Sequence, residues 1–204
     1  YVWSKNKDVN LFHSLDKSVR FIKFFMHPDG SFGGKYSSRN TEFIMPAGFE
    51  ILASQSEAAR TISFFVKKSI TERLVVSLDQ MDPQNILPFI NNFIFALKHA
   101  NDAQYPTAKL PFTEDFSKNF LDAGCIIVSK PKFYAIVSWK KGGSLSAFSK
   151  FPPYLSYYDS GIFIESTNKR HYSNQLWRDA NKTSHYQGQL VVESDLLKIK
   201  LLSM

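Results

Sequence analysis

The sequence predicts an α+β protein, with a helical N-terminal half over residues 1–103 and an all-β C-terminal half over residues 104–204. Three observations predict it. Apolar residues recur at steps of three and four in the first half, the spacing of one helical face. From Phe120 that period stops, and short runs rich in β-branched and aromatic residues take over. Between the two textures, Tyr105-Pro106 and Leu110-Pro111 mark a connector.

Leu15, Val19, Ile22 and Met26 share a helical face, with Ser14 placed to cap it. His27-Pro28-Asp29-Gly30 ends that helix, because Pro cannot continue it and Asp-Gly turns readily. His27 then sits at a helix C-terminus, where the dipole favours an imidazolium. A loop with three glycines follows, Gly30-Ser31-Phe32-Gly33-Gly34-Lys35-Tyr36. Pro46 suits the first position of a short helix running to about Ser54. Ser56 caps a third helix with Ala58, Ile62, Phe65 and Val66 inward. Asp82-Pro83 opens a fourth, with Ile86, Ile90, Phe93 and Leu97 inward, and Pro88 delays or kinks its first turn. Leu74 to Leu78 reads equally as a short strand or an extended linker.

In the second half the β-rich runs are 124–129, 133–139, 144–149, 156–165, 171–177, 186–193 and 197–201. Turn chemistry separates them, including Gly142-Gly143 and Pro152-Pro153. Seven runs at this spacing suggest an antiparallel sheet or sandwich.

Composition narrows the function. The net charge is +7, which favours acidic partners: nucleic acid, anionic lipid or anionic polysaccharide. Lys and Arg are scattered rather than set in a stripe, and no helix-turn-helix, zinc-finger or RNA-recognition pattern occurs, which argues against nucleic acid. No stretch is apolar enough over sufficient length to span a bilayer. Nineteen Phe, nine Tyr and three Trp leave rings for a surface as well as a core, with Trp139, Trp177, Tyr157 and Tyr158 as candidates to stack on sugars. One cysteine, Cys125 in an apolar strand, offers no disulfide framework to signal export. The chain begins Tyr1-Val2-Trp3 without an initiator Met and ends just after a strand-like pattern, so a piece of a longer protein is expected.

The helix–Asp29-Gly30-Ser31-Phe32-Gly33-Gly34–helix unit over residues 15–54 resembles a repeat of α/α-toroid proteins. A helical part followed by strands is similar to heparinase II/III-type polysaccharide lyases. The junction Phe120-Leu121-Asp122-Ala123-Gly124, then Tyr134 to Ser138, Gly142-Gly143 and Asp159-Ser160-Gly161, carries that likeness over about residues 10–165. The resemblance implies an α/α-toroid-like helical part, a β-sandwich, and β-elimination on acidic, uronate-containing polysaccharide, without a cofactor. It also implies a periplasmic or extracellular setting; the residues alone fit the cytoplasm as well. The family's His-containing segment after the Gly-Gly pair has no counterpart here, where Ser144-Leu145-Ser146-Ala147-Phe148 stands. The alternative is therefore a non-catalytic carbohydrate-binding or polysaccharide-assembly protein of the same architecture. Isoprenoid toroid enzymes need an Asp-rich or zinc-binding cluster, which the sequence lacks.

Such lyases neutralise the uronate carboxylate with Asn or a similar group and use Tyr or His as base and acid, which lowers the barrier to removing a carbon-bound proton. The resemblance places these roles on Asn40 and Tyr36 beside the Gly-rich loop. Lys35, Arg39 and Glu42 complete the densest polar cluster of the first half and are the candidate substrate-binding residues. Arg39 has the fork that grips a carboxylate bidentately. Gly30, Gly33 and Gly34 present backbone N–H groups to an anion or simply turn the chain. His171 and His185 do not match a zinc spacing, so no metal site is expected. Asp159 starts a turn or bulge.

Overall fold

The computed structural model describes residues 2–37, 40–100, 106–186 and 189–199. It is an α+β protein, with five α-helices and antiparallel sheets among the described residues. The chain forms two compact units, one from Tyr1–Phe32 and Glu42–Glu114, the other from Gly33–Thr41 and Asp115–Met204. The sequence places the division at 103/104. The difference lies in the glycine loop, which is grouped with the strands, and in residues up to 114, which are grouped with the helices.

In the helical unit the helices are α1 (Val2–Asn6), α2 (Val9–Ile22), α3 (Ala47–Leu52), α4 (Glu57–Thr71) and α5 (Pro83–His99). Helix α2 starts six residues earlier than Ser14 suggests. Asp8 is its N-cap, its side chain accepting from the Leu11 N–H at 2.8 Å. Ser14 instead donates back to the Asn10 carbonyl inside the helix. Ser56 caps α4 as its residue type predicts, accepting from the Ala59 N–H, while its hydroxyl donates to Asp16 of α2 at 2.5 Å. One serine thus fixes a helix start and ties two helices. Asp82 caps α5, and Pro88 is carried inside that helix without ending it. Residues 74–78 form no strand; a 3-10 turn, Leu78–Gln80, begins at the last of them, and Val75 is buried.

The core of this unit gathers Trp3, Val19, Met26, Ile44, Phe49 and Ile62, with Ala59 and Val66 between them. Burial of one such large side chain contributes about 1.5–3 kcal/mol. The i, i+3, i+4 stripe of α4 supplies Ala58, Ala59, Ile62 and Val66 to it.

In the second unit β1 (Phe116–Phe120), β2 (Cys125–Ser129), β3 (Phe133–Ser138), β4 (Ser144–Ser149) and β5 (Ser156–Asp159) form an antiparallel meander in that order. Strands β6 (Phe163–Glu165), β7 (His171–Ser173) and β10 (Leu197–Ile199) form a three-stranded sheet with β7 in the middle. Strands β8 (Lys182–Tyr186) and β9 (Gln189–Glu193) form a hairpin. The run 156–165 is therefore two strands, split where Gly161 takes a φ of +92°. The run 186–193 divides likewise, its residues 187–188 lying outside the described ones, as do 200–201 of the last run. Strand β1 lies ahead of the first expected run because Ser117, Lys118 and Asn119 are exposed and give it no apolar signature.

Period-2 alternation sorts the meander into two faces. Tyr134, Ile136 and Ser138 of β3 share a face with Phe148, Ser146 and Ser144 of β4 and with Ser129, Ile127 and Cys125 of β2. All nine are buried. Gly142 makes the β3–β4 connection possible: its φ is +65°, and an added Cβ would lie 1.9 Å from the Asn174 carbonyl oxygen.

Candidate functional site

The Gly-rich loop begins with a self-contained turn. Asp29 accepts from the Ser31 N–H at 2.9 Å and from the Ser31 hydroxyl at 2.6 Å. His27 Nδ1 lies 2.8 Å from that same hydroxyl. The expectation of a positive His27 capping a helix is corrected here. Its ring is buried beyond the helix end, 1% exposed, and burial pulls its pKa down to about 3, so the imidazole is neutral.

Next, Gly34, Ser37 and Thr41 close a second turn. The Gly34 N–H donates to the Thr41 carbonyl at 2.8 Å, and the Ser37 hydroxyl both donates to the Gly34 carbonyl and accepts from the Thr41 N–H. Gly34 has a φ of +118°, which an L side chain rarely adopts. Asn40 sits at a φ of +52°, a left-handed position that Asn tolerates.

Lys141, in the middle of the β3–β4 connection, holds this loop. Its ammonium donates to the Lys35 carbonyl at 2.7 Å, the Ser37 carbonyl at 2.5 Å and Asn40 Oδ1 at 2.7 Å. An ammonium has three donors and no acceptor. Three acceptors use all three, and they require the oxygen of Asn40, not its nitrogen, to face Lys141. Burial, followed by the charge of Lys35, draws the Lys141 pKa below the usual lysine value.

Tyr36 lies inside, 6% exposed, beside Tyr134, Cys125 and Tyr158. Burial first, then the neighbouring Tyr134, pushes its pKa well above the ordinary phenol value, against a smaller opposing hydrogen bond from the Gly33 backbone. A general base must shed its proton near working pH. The surroundings of Tyr36 do the opposite. Asn40 is exposed, but its carbonyl is engaged by Lys141. Lys35 is half-buried and enters the cluster through its backbone carbonyl. Glu42 is exposed and belongs to the helical unit. Arg39 lies outside the described residues.

The structure thus brings Lys35, Tyr36 and Asn40 onto the strand-bearing unit and adds Lys141, which no motif in the sequence marks. The separation of 101 residues between Lys141 and Asn40 hides the pairing.

The neighbouring Lys140 ammonium lies 5.5 Å from the Trp139 ring centroid and 5.8 Å from that of Trp177, and pairs with Asp179 at 2.7 Å. Trp177 is 47% exposed, and Tyr157 and Tyr158 also reach the surface. Asp159 accepts from the Gly161 N–H at 2.8 Å, which makes it a turn residue. Cys125 is a buried thiol whose pKa burial raises to about 11. His171 bonds Glu165 at 3.1 Å, and the His185 side chain lies outside those described. Among the described residues, no group of three His, Cys, Asp or Glu side chains is placed to hold a metal ion, and no helix is long and apolar enough to cross a membrane. No protein-family model, no curated protein and no solved structure matches the chain.

Proposed function

We propose that this protein binds acidic, uronate-containing polysaccharide, with the toroid-and-sandwich plan of heparinase II/III-type lyases but without cleavage through Tyr36 and Asn40. The resemblance of the loop and junction motifs supplies the substrate class and the toroid-like reading of the helices. The net charge of +7 and the exposed indole of Trp177 beside Lys140 support a glycan partner. One observation favours binding over β-elimination: the Lys141 ammonium is saturated by the loop and occupies the Asn40 carbonyl, while Tyr36 is buried in its phenol form. A polysaccharide-binding or assembly role keeps the architecture and asks nothing of those two side chains.

The test presents the purified protein with uronate-containing and neutral glycans at two salt concentrations and follows ultraviolet absorbance for an unsaturated product. Salt-sensitive binding confined to uronate glycans, with no such product, is the expected result. Binding to none of them, or to every polyanion alike, overturns the proposal. An unsaturated product that disappears in Tyr36→Phe restores the lyase reading in place of binding alone.

A further inference from the structure

One end of the five-stranded meander gathers the β2–β3 and β4–β5 connections. The backbones of Lys130 and Phe133 bond each other across the first turn, at 2.9 and 3.3 Å. The Lys150 N–H of the second connection donates to the Lys132 carbonyl at 3.0 Å, and Phe133 stands opposite Ser149 in the β3–β4 register. From there Phe151, Pro152, Pro153, Tyr154 and Leu155 run on, all of them exposed. Phe151 is 63% and Leu155 68% exposed, and the Phe133 ring is exposed beside them.

The 150–155 loop turns its polar backbone inward while its side chains face water. Ser149 is the hub. Its hydroxyl accepts from the Leu155 N–H at 2.8 Å and sits 3.1 Å from the carbonyl oxygens of Phe151 and Pro153, donating to one at a time. The Ser149 N–H donates to the Leu155 carbonyl at 2.8 Å. Pro152 and Pro153 have no N–H to satisfy. An apolar medium penalises every unsatisfied peptide group, so a backbone closed in this way can leave water at lower cost. The Tyr154 hydroxyl is the one polar side-chain group from 151 to 155. Tyr suits a boundary where one end of the ring is dry and the other wet.

Lysines rim this apolar tip. Lys150 lies 3.6 Å from Asp115, but Lys130 and Lys132 are exposed and no ion pair among the described residues joins them. A contiguous exposed apolar run marks a surface that something covers, and two unanswered ammonium groups beside it favour an anionic cover. A sugar is held by hydrogen-bonding groups gathered around its ring, whereas the tip between these lysines is apolar. We infer that the 130–133 turn and the 150–155 loop dock the protein on an anionic lipid surface. The apolar tip enters the headgroup boundary, and Lys130 and Lys132 pair with the anionic headgroups. This docking does not depend on the glycan specificity proposed above.

The test is co-sedimentation of the whole chain with vesicles of phosphatidylcholine, alone or mixed equally with phosphatidylserine, at two salt concentrations. The variants are Lys130→Ala/Lys132→Ala and Phe151→Ser/Leu155→Ser, all at exposed positions, with Lys17→Ala on the exposed side of α2 as a charge control. The parent is expected to bind the mixed vesicles only, and less at high salt. The double lysine variant binds them about thirtyfold more weakly, each lysine at an anionic surface being worth about a factor of five. The loop variant binds about tenfold more weakly but keeps the salt dependence, and Lys17→Ala matches the parent. Brominated-lipid quenching of Tyr154→Trp, in excess of the quenching of the parent's own tryptophans, reports entry of the tip without removing any contact. No binding to the mixed vesicles, binding that both double variants leave unchanged, or no added quenching overturns the proposal. Oligogalacturonate binding that both double variants abolish, without vesicle binding, overturns the lipid assignment and gives this surface to the polysaccharide.

Discussion

The two units handle some of their buried polar groups in different ways. In the helical unit several such groups meet side chains that answer them. Glu50 has Ser63 and Lys67, Ser56 has Asp16, and His27 has the Ser31 hydroxyl. In the strand-bearing unit the buried cation Lys141 meets two peptide carbonyls and an amide, with no carboxylate among these partners. Beside it, the hydroxyls of Ser138, Ser144 and Ser146 are buried on one sheet face and have no partner. Helices satisfy their own backbones, so their side chains are left to tie one helix to another. In a loop of left-handed and glycine positions, one ammonium collects the Lys35 and Ser37 carbonyls.

This contrast can be broken most forcefully at Lys141. Lys141→Met leaves three acceptors without their donor and is expected to cost about 3 kcal/mol. Chemical denaturation measures the loss, and faster amide exchange at Gly34 and Thr41 locates it in the loop. A stability equal to the parent's would mean that the ammonium is not what holds residues 33–41.

The second effect is pH-dependent and belongs to His27. Its folded pKa, about 3, lies below the unfolded value of 6.5, so the unfolded chain takes up a proton that the folded chain refuses. Stability is full above pH 6.5 and falls as the pH drops toward 3, by about 1.4 kcal/mol per unit, or about 2 kcal/mol at pH 5. Denaturation midpoints between pH 7 and pH 5 would show this slope, and His27→Gln should flatten it. A slope that survives the substitution assigns the acid sensitivity to other groups.

The smallest effect has the opposite sign. Ser146→Ala removes a fully buried, unpartnered hydroxyl at almost constant volume and should raise stability by about 1 kcal/mol. A lowered melting temperature would show that the hydroxyl is hydrogen-bonded in solution, and would bring the two units closer in character.

Much of the fold was legible because it is locally encoded. The stripe of Ala58, Ile62 and Val66, the Ser56 cap and the Asp82-Pro83 start each depend on residues within a turn or two. The alternation in β2, β3 and β4 is equally local. Where the reading failed or stayed open, a longer-range partner decided the outcome. Val75 is buried in the helical core, and of the two readings of residues 74–78 the extended linker holds. Strand β1 has too little apolar pattern of its own and is defined by its register with β2, from Phe116 opposite Ser129 to Phe120 opposite Cys125. His27 looked like a charged cap because sequence shows a helix end but not the burial that makes the ring neutral.

The sequence by itself determined the class of the protein, the order of helices before strands, and the polar loop that includes Lys35, Tyr36 and Asn40. These follow from period, capping and turn chemistry, which act over a few residues. Only the tertiary structure decided what that loop does. Whether a side chain can act as a base or grip an anion depends on which groups surround it, and Lys141, Tyr134 and Cys125 reach Asn40 and Tyr36 from about ninety to a hundred residues away.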